Sequence, residues 1–327
     1  MESYVFTCGD INGIGPEIVI KTLNRICSNK NSRFYFVCPS NVFSETIRNT
    51  KPKFKYEIIK KFTKDFVTQV QVIDLGNEKI SPGKPTSVSG KASFKSIEYA
   101  FELVSKNKVD ALITAPISKT AFNLAGILFP GHTELLAEWS GDKDFMMMFL
   151  SKKMNAGLLT IHQPIKNISQ LLSEVNLINS LKLITSTLKN DLNLPNPRIA
   201  VLGLNPHAGE NGLIGDEEEK IIKPVLKEFK KNVEGPFSPD AFFGSKAYKN
   251  YNFVLGMYHD QVLIPFKMMN FSSGVNFTAG LKIVRTSPDH GTAYDIAWQN
   301  KADERSILEA YKYARLISFN RKRNEKN

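Results

Sequence analysis

Short apolar runs and amphipathic segments alternate along this chain, and that alternation constrains its fold more than any other feature. Residues 4–7 predict a strand, and residues 16–26 predict a helix whose proline and glutamate suit a first helical turn. Strands that alternate with helices usually form largely parallel sheets covered by helices. The sequence therefore predicts an α/β fold.

The same alternation predicts the remaining elements, without marking a clear domain boundary. Further strands are predicted at 34–37, 111–114, 145–150, 157–161, 199–202 and 253–257. Further helices are predicted around 94–104, at 168–188 and at 218–229.

The composition suits a cytoplasmic protein with a large apolar core. The chain has 327 residues, of which 42% are hydrophobic, enough for two domains or one large α/β unit. No apolar stretch is long enough to span a bilayer, and the first residues lack the pattern of a signal peptide. Three cysteines without a CxxC pair suit a reducing compartment. We therefore expect a cytoplasmic location and no membrane partner.

The net charge of +11 raises the question of an anionic partner. The basic residues are scattered along the chain, and only the tail at 321–326 is locally dense. A nucleic-acid interface normally shows clustered basic residues, so we expect no nucleic-acid partner. A basic surface would instead attract a small anionic substrate.

Three of the five histidines follow predicted strands at equivalent positions, namely His162, His207 and His259. Ligands of open α/β sheets bind beyond the carboxyl ends of the strands, so these imidazoles are expected to converge. Three histidines suit a divalent metal that keeps open positions for a substrate. The alternative is three unrelated polar residues in loops. The pattern favours a metal site.

Other residues predict a site for anions. His132 and Thr133 lie at the start of a predicted helix, where backbone amides bind anions, although Thr133 could equally be an ordinary helix cap. Lys267 and Arg285 follow apolar runs that we interpret as strands, and cations there suit phosphate or carboxylate. Asn276 lies between them and offers an amide contact.

Several longer motifs are distributed in order along nearly the whole chain. They are GDINGIGPEI at 9–18, TAPISK at 114–119, GHTE at 131–134, GLNPHAGENGLIGDEE at 203–218, GPFSPDAFF at 235–243, MYHDQ at 257–261 and GVNFTAGLKIVRTSPDHGTAYDIA at 274–297. Together they resemble the 4-hydroxythreonine-4-phosphate dehydrogenase family of vitamin B6 biosynthesis.

The resemblance implies a fold like that of isocitrate and isopropylmalate dehydrogenases. This is a homodimer of two α/β/α domains with largely parallel sheets, an active site in the interdomain cleft and ligands shared across the dimer. By that analogy residues 1–120 and 276–327 form a cofactor-side domain, and residues 121–275 form a domain for metal binding and dimerisation. The implied reaction is NAD(P)-dependent oxidation of 4-phosphooxy-L-threonine, followed by decarboxylation to 3-amino-2-oxopropyl phosphate, for pyridoxal 5′-phosphate synthesis.

The resemblance also implies roles for individual residues. It makes His162, His207 and His259 ligands of one divalent metal, which would be zinc, magnesium or cobalt. It assigns substrate contacts to a further set of residues, His132, Thr133, Lys267, Asn276 and Arg285. The residue that takes the hydroxyl proton stays open between Asp240 and Lys267.

The nicotinamide cofactor needs a binding loop other than the usual one. GDINGIG has the wrong spacing for GxGxxG. HGTAYDIA at 290–297 is similar to the HGSAPDIA loop that holds the adenine half of NAD in isopropylmalate dehydrogenases, although a plain turn is the alternative. We therefore predict that NAD or NADP binds at this loop, through His290, Gly291, Thr292, Ala293 and Asp295.

Some residues depart from the family pattern. Ile11 replaces the usual proline, and Val262 replaces the glycine that usually follows HDQ. We expect the β-branched valine to keep the backbone away from the metal. The acids from Glu217 onward are expected only to begin the next helix.

Three alternative functions remain. A relative within the family would oxidise a phosphorylated four-carbon sugar acid, such as threonate or erythronate 4-phosphate, with the same residues. A phosphate acyltransferase shares a related fold but needs no three-histidine metal site. A non-catalytic metal- or phosphate-binding protein would not use HGTAYDIA.

Overall fold

Strands and helices alternate through residues 1–28, 31–129 and 131–325, which a computed structural model describes. The strands are β1 (Glu2–Thr7), β2 (Ser32–Cys38), β3 (Tyr56–Ile59), β4 (Val70–Asp74), β5 (Ala111–Ile113), β6 (Met146–Leu150), β7 (Ala156–Leu158), β8 (Ile199–Leu202), β9 (Val233–Phe237), β10 (Phe253–Gly256), β11 (Val275–Ala279) and β12 (Arg285–Pro288). The helices are α1 (Gly15–Ile26), α2 (Ser40–Thr50), α3 (Ser87–Ser105), α4 (Lys119–Leu124), α5 (His132–Ser140), α6 (Ile168–Leu171), α7 (Glu174–Asn190), α8 (Lys223–Glu228), α9 (Pro239–Gly244), α10 (His259–Asn270) and α11 (Arg305–Asn324).

The first of two structural units, unit 1, comprises Met1–Lys143 and Leu281–Ser318. Its strands run in the order β3-β4-β2-β1-β5-β12, and every neighbouring pair is parallel. Strands of such a sheet are apolar on both faces because helices cover both. Tyr4 and Phe6 are accordingly buried, and their rings pack within 6.4 Å of those of Phe34 and Tyr311.

The second unit, unit 2, comprises Asp144–Gly280 and Phe319–Asn327. Its strands run in the order β11-β6-β7-β10-β8-β9. β7, β10, β8 and β9 are parallel, whereas β6 is antiparallel to both its neighbours. The carboxyl ends of β7, β10 and β8 therefore lie at the same edge of the sheet. This is where the three loops that carry the predicted metal ligands begin.

The fold class is confirmed: the chain is an α/β protein with mostly parallel strands. The domain limits inferred from the resemblance, 120/121 and 275/276, stay a prediction. Within the described ranges, no helix combines the length and apolar character needed to cross a bilayer.

Two predicted helices differ from the structure. The segment 168–188 is two helices, α6 and α7, and the hydroxyl of Ser173 caps α7 by accepting a hydrogen bond from the Asn176 N–H at 3.2 Å. The segment 218–229 begins as a π-helical turn, Glu218–Ile222, and continues as α8. A proline in the first turn of α8 removes a backbone donor there, which favours such an irregular start.

The positions predicted for two cations also need correction. Lys267 does not follow a strand but lies within α10, because the apolar run before it forms the first turns of that helix. Short apolar runs do not distinguish a buried strand from a buried helix. Arg285 begins β12 instead of following a strand.

Candidate functional site

The predicted metal ligands follow three neighbouring parallel strands of unit 2. His162 lies in the loop after β7, His207 in the loop after β8, and His259 is the first residue of α10, just after β10. His162 has a φ of 51°, in the left-handed region that non-glycine residues seldom adopt. Such residues cluster at functional sites, because only a well-packed environment maintains them.

Two of these histidines are adjacent. The ring centroids of His162 and His259 are 5.9 Å apart. Nδ1 of His259 lies 2.7 Å from Oδ1 of Asp260. If Nδ1 donates in this hydrogen bond, Nε2 carries the lone pair that a metal requires, as in many carboxylate–histidine–metal arrangements. The pair fits two ligands of a divalent ion.

The third histidine is in an unusual loop. His207 belongs to a 3-10 segment, Pro206–Gly212, in which φ is positive from residue 207 to residue 211. The residues that the structure describes contain no group of three or more His, Cys, Asp or Glu side chains arranged to hold a metal. The three-histidine site therefore stays a prediction, supported by the adjacent pair.

Asp240, one candidate acceptor for the substrate proton, lies in the first turn of α9 and is exposed. Its Oδ1 accepts a hydrogen bond from the Ser238 hydroxyl at 2.6 Å. That bond, the backbone N–H of Ala241 and, to a smaller extent, the nearby His207 hold the pKa of the Asp240 carboxyl below its usual value. Asp240 is therefore ionised at neutral pH, as an acceptor must be.

Buried polar side chains hold the three histidine loops together. The side-chain amide of Gln261 donates from Nε2 to the Gly203 carbonyl after β8, and its Oε1 accepts from the Met257 N–H after β10, both at 2.7 Å. The Thr160 hydroxyl, after β7, donates to the Met257 carbonyl at 2.7 Å. Sequence reasoning missed these links. The glutamine of the HDQ motif was the available signal, but its partners are backbone atoms of a distant segment.

Val262, one of the departures from the family pattern, packs inside unit 2. Its side chain is fully buried in the core of unit 2, beside Phe266. It packs over Gly256 so closely that a Cβ at residue 256 would lie 2.1 Å from its Cγ2. The side chain thus fills space that Gly256 leaves in the core, and the expected effect of Val262 on the approach of the backbone to a metal stays a prediction.

Unit 1 contains a buried cation. Arg285 is 2% exposed, and its Nε and Nη2 donate to the Thr114 hydroxyl at 3.0 and 2.7 Å. Burial lowers the pKa of Arg285 to about 9, against the opposing effect of Glu134, so the side chain is still protonated at neutral pH. A buried guanidinium of this kind suits a planar anionic group.

His132 lies near this cation at the first residue of α5. Burial and then the Arg285 charge hold the pKa of His132 well below its usual value, so the imidazole is neutral. Among the described residues its buried Nε2 has no hydrogen-bond partner. Gly131 occupies the cap position of α5, so the interpretation of Thr133 as the helix cap is wrong.

The remaining predicted substrate contacts lie in unit 2. Lys267 is exposed on α10. Asn276 is on β11, opposite Phe149, and within the described part of the chain its buried Oδ1 has no hydrogen-bond partner. The assignment of five residues to one substrate stays a prediction, with His132, Thr133 and Arg285 in unit 1.

The predicted cofactor loop rests on the GDINGIG segment within unit 1. Thr292 accepts a hydrogen bond at its carbonyl from the Ile14 N–H at 3.0 Å, and the Tyr294 hydroxyl donates to Oδ2 of Asp10 at 2.9 Å. Ala293 has a φ of 42°, and Asp295 is exposed in the following 3-10 turn. Asp10 is fully buried, and sequence reasoning missed its role in holding this loop.

The other predicted contacts of this loop are similarly placed near its surface. Nδ1 of His290 lies 3.1 Å from the Gly291 carbonyl oxygen. Gly291 is exposed, and a Cβ there would meet no atom within 4 Å. The space beside the backbone suits a ligand, and the cofactor assignment stays a prediction.

Comparisons with known proteins agree with the resemblance. The family described as "Pyridoxal phosphate biosynthetic protein PdxA" matches residues 30–314. The chain is 40% identical over 324 residues to 4-hydroxythreonine-4-phosphate dehydrogenase of Desulforapulum autotrophicum, covering 95% of this chain and 94% of that protein. It is 38% identical over 319 residues to a putative D-threonate 4-phosphate dehydrogenase of Oceanobacillus iheyensis, covering 93% and 94%.

A solved structure is also similar over the full length. The crystal structure of 4-hydroxythreonine-4-phosphate dehydrogenase from Klebsiella pneumoniae is 35% identical, with a TM-score of 0.83, and the match covers 97% of this chain and 100% of that one.

Proposed function

Because this chain belongs to the PdxA family of pyridoxal phosphate biosynthetic proteins, we propose that it oxidises 4-phosphooxy-L-threonine with NAD or NADP. Loss of CO2 from the resulting β-keto acid would give 3-amino-2-oxopropyl phosphate for vitamin B6 synthesis. The family makes the chain a dehydrogenase. The observation that carries the proposal is the adjacent pair of His162 and His259 beyond β7 and β10.

The side chains suit the separate requirements of this reaction. His162, His207 and His259 would hold a zinc, magnesium or cobalt ion, with Nε2 of His259 turned to the metal by Asp260. When bound, the metal would supply polarisation of the substrate oxygen, and the nicotinamide would supply an acceptor for the hydride from the carbon that bears the hydroxyl.

Cationic and neutral donors would hold the substrate. Arg285 would bind an anionic group of the substrate through its planar guanidinium. Neutral His132 nearby would form a hydrogen bond with the substrate at Nε2. Thr133, Asn276 and the exposed Lys267 would complete the contacts. Asp240 or Lys267 would take the hydroxyl proton, and the ionised state of Asp240 favours the carboxylate.

The cofactor would bind at residues 290–297 through its adenosine half. Asp295 is exposed and accepts hydrogen bonds, and His290 offers a ring face. The bond between Tyr294 and Asp10 holds the loop in place without occupying Asp295. His290→Ala and Asp295→Ala should raise the KM for NAD and leave metal affinity unchanged. Loss of metal affinity with an unchanged KM for NAD would contradict this assignment.

A second substrate is favoured by one relative. The similarity to the putative D-threonate 4-phosphate dehydrogenase supports oxidation of a phosphorylated four-carbon sugar acid, in which a hydroxyl replaces the amine. The test is NAD or NADP reduction by the purified chain with each substrate, with and without added Zn²⁺, Mg²⁺ or Co²⁺. A higher kcat/KM for threonate 4-phosphate would replace the first proposal, and activity with neither substrate would reject both.

The chain would act as a cytoplasmic homodimer with ligands shared between the subunits, and its two domains would follow the predicted limits. Apolar side chains on α10 support the dimer: Ile264 and Met268 are 58% and 82% exposed, and Phe271 beyond the helix is 81% exposed. Their spacing places them on one face. Met268→Glu should shift the mass in sedimentation equilibrium from dimer to monomer. A wild-type chain that is monomeric would contradict the proposal.

A further inference from the structure

The loop between β8 and the following π-helical turn adopts a conformation that its sequence alone does not favour. Five consecutive residues, His207–Asn211, have φ between 43° and 78°. Only Gly209 among them is free of the steric penalty that L-residues meet in the left-handed region. Such a run persists only where the surrounding structure holds it. The question is which side chain supplies that support.

A buried carboxylate lies against this loop. Glu218 is 0% exposed, although it was expected only to begin the next helix. Its Oε1 accepts a hydrogen bond from the Asn205 N–H at 2.7 Å, and its Oε2 accepts from Nδ2 of the same residue at 2.9 Å. Asn205 lies two residues before the left-handed segment, with Pro206 between them, so the carboxylate fixes the chain just before it enters that segment.

The same carboxylate also contacts the inside of the loop. A Cβ at Gly209 would lie 2.7 Å from Oε2 of Glu218, and a Cβ at Gly203 would lie 3.1 Å from Oε1. The backbone therefore approaches Glu218 before and within the left-handed segment, where side chains would not fit. His207 lies between these two glycines in sequence.

We propose that Glu218 is the positioning residue for His207: its buried carboxylate holds the left-handed turn and thereby sets the affinity of unit 2 for a divalent metal ion. This inference rests on the proposed function, in which His207 is a metal ligand. Glu218 itself is no ligand in the proposal, because both its oxygens accept hydrogen bonds from Asn205.

The test measures Co²⁺ binding to the full purified chain by the visible absorption of the bound ion. Glu218→Ala and the near-isosteric Glu218→Gln should weaken Co²⁺ binding at least about 10-fold, the lower end for loss of a residue that orients a metal ligand. Glu219→Ala is the matched control, because it removes the same kind of side chain from the next residue, which pairs with Lys223. That control should bind Co²⁺ like the wild type.

Two further measurements separate the possible failures. Urea unfolding without metal shows whether each variant folds. If Glu218→Ala does not fold, the Co²⁺ affinity of Glu218→Gln provides the test. His207→Ala tests the ligand itself. If His207→Ala weakens Co²⁺ binding and folded Glu218→Gln does not, the positioning role is overturned while the metal site stands. Equal weakening by Glu219→Ala also overturns it, and an unchanged affinity in His207→Ala overturns both proposals.

Discussion

Gln261 provides a sharp test of how the histidine loops are held together. Gln261→Met keeps the length and shape of the side chain but removes both of its hydrogen bonds. The Met257 N–H and the Gly203 carbonyl, both in buried residues, then lose these partners. Leaving a buried polar group without a partner costs about 1–3 kcal/mol, so the variant should lose about 2–6 kcal/mol of unfolding free energy.

The measurement is urea unfolding of the metal-free chain, monitored by far-UV circular dichroism. Gln170→Met is the control, because Gln170 is an exposed glutamine of α6 in the same unit. The control should stay within about 0.5 kcal/mol of the wild type. If Gln261→Met also stays within that range, Gln261 does not hold the strand ends together and the reasoning fails.

Three further predictions concern packing, charge and pH. Gly256→Ala should lower the free energy of unfolding by about 1–3 kcal/mol, since the new Cβ would meet Val262. In urea unfolding, the double variant with Val262→Ala should regain part of that loss. An unchanged free energy of unfolding in Gly256→Ala would contradict this packing. Arg285→Lys should raise the substrate KM in initial-rate assays because a planar fork becomes a point charge, and an unchanged KM would exclude the contact. The pKa of His132 is depressed in the folded chain, so the unfolded chain binds the proton more readily and stability should fall as pH drops below about 6.5. We expect the Tm of His132→Gln to fall less than that of the wild type over this pH range. An identical dependence of Tm on pH in both chains would exclude His132 as the cause.

Periodicity and strand-end rules recovered the fold class and the adjacent histidines. The α/β alternation is a property of local sequence, and the placement of His162 and His259 follows from the parallel strands that precede them. The segment 168–188, predicted as one helix, forms two because the Ser173 hydroxyl caps the start of α7. The spacing of apolar residues does not reveal such a cap. The run at 262–266 was wrongly predicted as a strand because a short apolar run fits a helix and a strand equally well.

The supporting polar groups were beyond the reach of sequence reasoning. Gln261 bonds to the backbone of Gly203, 58 residues away, and a backbone partner leaves no sign in the side-chain pattern. Glu218 looked like an ordinary acid at a helix start, yet its carboxylate is buried. Only the tertiary structure distinguishes such a residue from a solvated one.

Because unit 1 is discontinuous in sequence, its last part is synthesised only after most of unit 2. The core cluster of unit 2 that includes Val262 lies between Met147 and Met269, so all of it leaves the ribosome before residues 281–318. β12, the strand that pairs with β5, is made later. An unpaired strand edge on a nascent chain invites aggregation, so we expect β5 to depend on chaperones until β12 arrives. Arg285, the buried cation, lies at the start of β12, so unit 1 gains this cation only when β12 pairs with β5.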